Sequence, residues 1–209
     1  MRLSQDSNIC NKNFTDGVGS LRYLSRERNN KGLLSAEPKE QNMGTNDHVP
    51  VLFPTRIDLP PEIRVDVIIR LNHTLAYTVD LRSQVKQACW NVKGKDFIPL
   101  HALFTTIAAA LDTYADMVAE RIAVLGGVVM GTARLAVSLS QLPEYPSALV
   151  EGNDHVVALV ERFAHYATVM RSGITQAADV EDAGSAAIYT DISRGVDKQL
   201  WLLEAHLQR

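Results

Sequence analysis

The stretch DFIPLHALFTTIAAALDTYADMVAERIAVLGG, residues 96–127, decides the fold. Leu100, Phe104, Ile107, Leu111, Tyr114, Val118, Ile122 and Leu125 recur in steps of three and four, which places them on one stripe of an α-helix. Asp96 stands where an N-cap is expected, and Pro99 falls in the first turn, where a missing N–H costs nothing. Gly126-Gly127 ends the helix.

Reading outward, the same period predicts three more long helices. Upstream, residues 61–91 carry Ile68, Leu71, Leu75 and Val79 on one face, and Gly94 closes the turn into the next helix. Downstream, 153–178 is set by Val156, Leu159, Val160, Phe163, Ala167 and Met170. The segment 184–207 is set by Ile188, Ile192, Val196, Leu200, Leu203 and Leu207. Between the second and third helices lies a connection of about 25 residues with Pro143, Pro146 and room for one short helix over 132–140. Two helical hairpins joined by one long middle link describe an all-α, ferritin-like four-helix bundle with a crossover. An up-down bundle would need only short loops.

Composition sets the outer limits. With 46% hydrophobic and 22% charged residues, the 209-residue chain carries enough apolar material for one good-sized core. The uncharged run 122–133 is too short to span a bilayer, so no membrane role is expected. No apolar run of signal-peptide length opens the chain, and two cysteines, Cys10 and Cys89, make no disulfide framework. Both point to a reducing, cytoplasmic setting. Residues 1–58 hold no sustained period and read as a flexible N-terminal tail ahead of one domain, 59–209. A net charge of −3 argues against a protein built mainly to grip nucleic acid by bulk charge.

The second helix also has a polar face. His101 and Thr105, Asp112 and Asp116, and Asp116 and Glu120 are each four apart, so their side chains stack along the helix. An imidazole with carboxylates at this spacing is raw material for an iron or zinc site, and a solvated acidic face fits the same pattern. Nineteen residues separate His101 from Glu120, about 28 Å along one helix axis. They can share an ion only if a second copy lies antiparallel, a two-fold interface with two equivalent sites.

At these residues the chain resembles the Dps family of mini-ferritins. The resemblance is carried by Lys86-Gln-Ala-Cys-Trp-Asn-Val-Lys-Gly94, Phe97-Ile-Pro-Leu-His101, Asp116 with Ala119-Glu-Arg121, and Leu125-Gly-Gly127. It continues in Leu142-Pro-Glu-Tyr-Pro146, Ser193-Arg-Gly-Val-Asp-Lys198 and Leu200-Trp201, and covers about 59–208. It implies a hollow homododecamer that oxidises Fe(II), usually with hydrogen peroxide, and stores ferric iron. Many members also bind DNA in starved bacteria. It further implies a ferroxidase centre at the two-fold interface, with two histidines and an aspartate of one chain facing an aspartate and a glutamate of the other.

Carried over by position, His101 matches the second histidine, Asp116 the facing aspartate and Glu120 the facing glutamate, which makes these three the catalytic and metal-binding candidates. Trp90 matches the tryptophan beside the centre, and Asp112 lies near it. The first histidine is Cys89 here, and the aspartate one turn after His101 is Thr105. A neutral thiol is a poor ligand and a thiolate a soft one, while Thr105 offers a neutral hydroxyl in place of an anionic oxygen. Three readings stay open: a weakened iron site, a metal-poor structural interface, and a zinc site.

The family's three-fold pores carry carboxylates at the start of the last helix. Here Glu181, Asp182 and Asp191 are the candidates, and Ala187 stands where an aspartate is common. Arg22, Arg26, Arg28 and Lys31 form the basic cluster of the tail and are the candidates for DNA phosphates. Eight basic and seven acidic residues leave residues 1–58 nearly neutral, so weak DNA binding is expected. His48 and Cys10 fit no metal signature, and His73, His155, His165 and His206 read as isolated histidines. No Walker loop or Gly-x-Ser-x-Gly elbow is present.

Overall fold

The protein's structure, a computed structural model, describes residues 51–208. Five helices follow in order: α1 (Pro61–Asn91), α2 (Phe97–Val124), α3 (Ala133–Leu139), α4 (Gly152–Asp179) and α5 (Ala183–Glu204). α1 packs on α2, α4 on α5, α1 on α4 and α2 on α5, which closes a four-helix ring. The crossover between α2 and α4 leaves at Gly126 and returns beside the α1–α2 turn. There Gly152 lies against Leu100 and Val92, and Lys93 N donates to Val150 O at 3.0 Å.

The apolar stripe of α2 is buried as its spacing predicts, with Tyr114 half-buried at the edge. Gly126 has φ 86° and ends α2 in a Schellman turn, with Gly127 N donating to Ile122 O at 2.9 Å. A side chain at 126 would also collide with Phe53 O. Phe53 N donates to the Gly126 carbonyl at 2.7 Å, and Leu52, Ile57 and Leu59 pack on the core. The segment 51–58, expected to belong to the tail, is therefore docked on the bundle. The rest of the tail lies outside the described residues, together with its candidates Cys10, Arg22, Arg26, Arg28, Lys31 and His48.

Two further details differ from the sequence reading. Asp96 occupies the N-cap position of α2, but its side chain makes no capping bond. α5 starts one residue earlier than expected and ends at Glu204, its last carbonyls taken by the N–H groups of Ala205, His206 and Leu207.

Inside the ring, polar groups pair across helices. Thr74 Oγ1 donates to Arg70 O at 3.1 Å, so the hydroxyl of Tyr189 on α5, 2.9 Å away, donates to it. Thr78 repeats the arrangement with Tyr166 of α4, at 2.6 Å.

Candidate metal centre

The turn between α1 and α2 brings Cys89 and Thr105 into contact. Thr105 sits one helical turn beyond His101 and donates its hydroxyl proton to His101 O at 2.8 Å, a common satisfaction of Thr within a helix. Cys89 Sγ lies 3.3 Å from Thr105 Oγ1 and 3.9 Å from His101 O. With the Thr105 proton engaged, the thiol is the donor in the Cys89–Thr105 contact. Thr105 thus accepts from Cys89 while its own proton goes to the helix backbone. Cys89 is buried, and its thiol faces the same side of the site as Thr105.

His101 is exposed beside this pair, its ring 5.4 Å from that of Phe97. Trp90 is exposed at the end of α1, with Lys86 Nζ 5.4 Å from its ring centroid. Asp116 and Glu120 stand exposed along α2, without a hydrogen bond or ion pair to any described residue. Asp112 does not share that freedom. Arg82 of α1 holds it through Nε at 2.7 Å and Nη2 at 3.3 Å, a fork that sequence spacing did not suggest. Among the described residues, no three His, Cys, Asp or Glu side chains of one chain converge as a metal site. His101 and Glu120 stand about 28 Å apart along α2, so these two side chains of one subunit cannot share an ion.

The acidic pore set needs a correction. Asp182 is only 2% exposed. It accepts from Arg121 Nη2 at 2.6 Å and from Ser185 N at 3.0 Å, and Ser185 Oγ donates to its second oxygen. It caps α5 and ties α2 to the α4–α5 turn, so it is not free to line a channel. The spacing Asp-x-x-Ser ahead of an apolar run is an N-cap signal that would have found this role. Glu181 is exposed at φ 60°, the left-handed residue that ends α4, and Asp191 is exposed and paired with Arg194 at 2.6 Å.

The isolated histidines separate into two kinds. His73 and His165 line a cleft of about 410 Å³ between α1 and α4, where His165 packs 5.7 Å from Tyr77. Among the described residues no third His, Cys, Asp or Glu joins them there. His155, by contrast, is buried and hydrogen-bonded to Tyr145.

Comparison with known proteins agrees with this architecture. The ferritin-like domain family matches residues 68–209. The DNA protection during starvation protein of Agrobacterium fabrum is 40% identical over 154 residues, covering 74% of this chain and 95% of that protein. Among solved structures, DpsC from Streptomyces coelicolor superposes with TM-score 0.73 at 26% identity, covering 76% of this chain and 93% of that one. The Dps protein of Vibrio cholerae O1, described as a member of a broad superfamily of ferritin-like diiron-carboxylate proteins, gives TM-score 0.71 at 26% identity, covering 76% and 99%. No helix of the described residues is long and apolar enough to cross a membrane. The crossover bundle, the family match and the identity over nearly the whole length of a curated relative lead to one assignment: this chain belongs to the Dps family of ferritin-like proteins.

Proposed function

We propose that the protein is a cage-forming mini-ferritin, working in the bacterial cytoplasm, that takes Fe(II) as substrate between two antiparallel copies and oxidises it slowly. His101 of one copy and Asp116 and Glu120 of a second supply the donors that remain. Two Fe(II) each give one electron to hydrogen peroxide, whose O–O bond breaks to yield water with uptake of two protons, and the ferric product stays in the cage. The observation that carries this reading is the closed Cys89–Thr105 pair beside an exposed His101. It removes two ligands from one side of the centre, while the carboxylates of the other side are unengaged by any described residue. The same closure favours a second reading, a Dps cage without ferroxidation.

One experiment separates them. Light scattering of the full chain should show a closed oligomer of twelve copies, and Fe(II) with peroxide should give ferric absorbance above a protein-free blank, with iron co-eluting with the cage. A stable monomer or lone dimer at micromolar concentration defeats both readings. An intact cage with blank-level rates leaves the non-catalytic one.

For DNA, the near-neutral residues 1–58 support weak, salt-sensitive binding at most, because affinity without base readout follows the number of phosphates neutralised. Gel retardation should vanish as salt rises to about 150 mM. Tight retardation at that salt would contradict the expectation, and deleting residues 1–50 would then locate the source.

A further inference from the structure

The second half of the crossover is held down by two buried side chains of α4. Arg162, 3% exposed, donates from Nε to Gln84 Oε1 of α1 at 2.6 Å and from Nη2 to the Glu144 carbonyl of the crossover at 2.7 Å. Its guanidinium carbon lies 5.4 Å from the centroid of the Tyr145 ring. The Tyr145 ring also lies nearly parallel to that of His155, at 12° and 6.1 Å between centroids, with its hydroxyl 2.7 Å from His155 Nδ1. His155 is 1% exposed, and its Nε2 makes no well-formed hydrogen bond to a described residue. A histidine so placed is an unusual clamp, because its own protonation works against it.

We propose that His155 is an acid-sensitive latch that docks the crossover on α4 and lets it go on mild acidification. In the docked state the phenol of Tyr145, its pKa pushed up to about 12 by burial, keeps its proton and donates it to Nδ1. A proton added to His155 turns that acceptor into a donor and places a charge in a dry site. Burial accordingly holds His155 below the ordinary imidazole range. Asp154 beside it and the carbonyls of Leu149 and Asn91 act the other way without cancelling that effect. The remaining charged groups around it are Arg162, which reaches it through Tyr145 and pairs with exposed Glu161 at 3.6 Å, and, along the backbone of the adjoining turn, Lys93 and Glu151. None is a buried anion in contact with the ring that would hold an imidazolium in place.

The direction follows from linkage. The undocked crossover leaves His155 in water, where it takes a proton near pH 6.5. Docking is at full strength above about pH 6.5 and weakens about tenfold per pH unit below it, until the depressed pKa of the docked state is reached. Undocking exposes more than the histidine. Tyr145, Gln84, Gln87, Leu142 and Trp90 line one cleft of about 670 Å³ between α1 and the crossover, so the latch controls the surface that borders Trp90.

Hydrogen exchange of the assembled full chain, read by mass spectrometry between pH 7 and pH 5 and corrected for the intrinsic rate, tests the latch. The amide of Lys93, which donates to the Val150 carbonyl, and that of Leu142, which donates to Ser140 Oγ, should lose protection below about pH 6.5, by up to about tenfold per pH unit, while those of α2 and α5 do not. His155→Gln, which cannot titrate, should abolish that slope. Should this variant fail to fold, exchange of the imidazole C2 proton in the parent decides, with the His155 midpoint expected below about 6.5. A pH-independent crossover in the parent, an unchanged slope in His155→Gln, or a His155 midpoint at or above 6.5 each overturns the proposal.

Discussion

Cys89→His combined with Thr105→Asp should raise peroxide-driven Fe(II) oxidation by at least about tenfold over the parent, the scale on which groups supporting a metal site act. The two side chains touch at 3.3 Å, the thiol of Cys89 donating to the Thr105 hydroxyl, so they are one structural unit. An imidazole at 89 supplies a neutral nitrogen ligand near physiological pH. A carboxylate at 105 projects from the turn after His101 and restores the lost negative charge. Either change alone leaves an unmatched partner: Thr105 facing an imidazole, or Cys89 facing a carboxylate. The double variant should therefore exceed the product of the single effects, as expected for ligands of one ion. Adding Glu120→Ala should remove the gain. Initial rates per subunit, measured anaerobically with added peroxide for parent, singles, double and triple, check this. A double variant no faster than the parent would mean that the interface does not hold ferroxidase geometry, and the non-catalytic cage would stand.

Asp182→Ala should cost about 3–5 kcal/mol, the usual consequence of removing one partner of a buried ion pair. The substitution leaves the Arg121 guanidinium, 15% exposed, without its carboxylate, and it strips the cap from α5. For a domain of this size that is a fall in melting temperature of roughly 6–20 °C, measured at fixed protomer concentration because assembly adds to stability. Asp182→Asn keeps an acceptor for Ser185 N and should lose less. A channel-lining role predicts the opposite pattern, slower iron uptake by the folded cage with its melting temperature unchanged. Thermal unfolding and uptake on the same samples separate the two.

The contrast between these two sites shows what the sequence could disclose. The α2 stripe was legible because helical period and apolar burial are local, and its buried and half-buried positions fall where the spacing put them. Cys89 and Thr105 were legible as altered ligand positions by resemblance, but not as partners of each other. That contact depends on how the five-residue turn 92–96 sets α2 against α1. Asp182 misled because a carboxylate at a helix start looks alike whether it caps, pairs or faces a channel. Only Arg121, 61 residues away in sequence, decides between them. Arg162 and His155 were illegible for the same reason. Charged and titratable residues on a helix read as surface until a distant acceptor such as Gln84 is in place to receive them. The docking of Phe53 on Gly126 gave no periodic signal, since one backbone hydrogen bond leaves none.

The paired hydroxyls of α1 carry one more consequence. Thr74 meets α5 through Tyr189, and Thr78, one turn on, meets α4 through Tyr166. Apolar side chains alone would tolerate α1 sliding by a turn, about 5.4 Å, since leucine fits many leucine-lined gaps. Such a slide would bring one threonine to the other's tyrosine and strand the second tyrosine hydroxyl in the core, at about 1–3 kcal/mol for a buried group left unsatisfied. Two small polar contacts on different neighbours thus act like the marks of a vernier, excluding axial misalignments that the hydrophobic effect cannot tell apart.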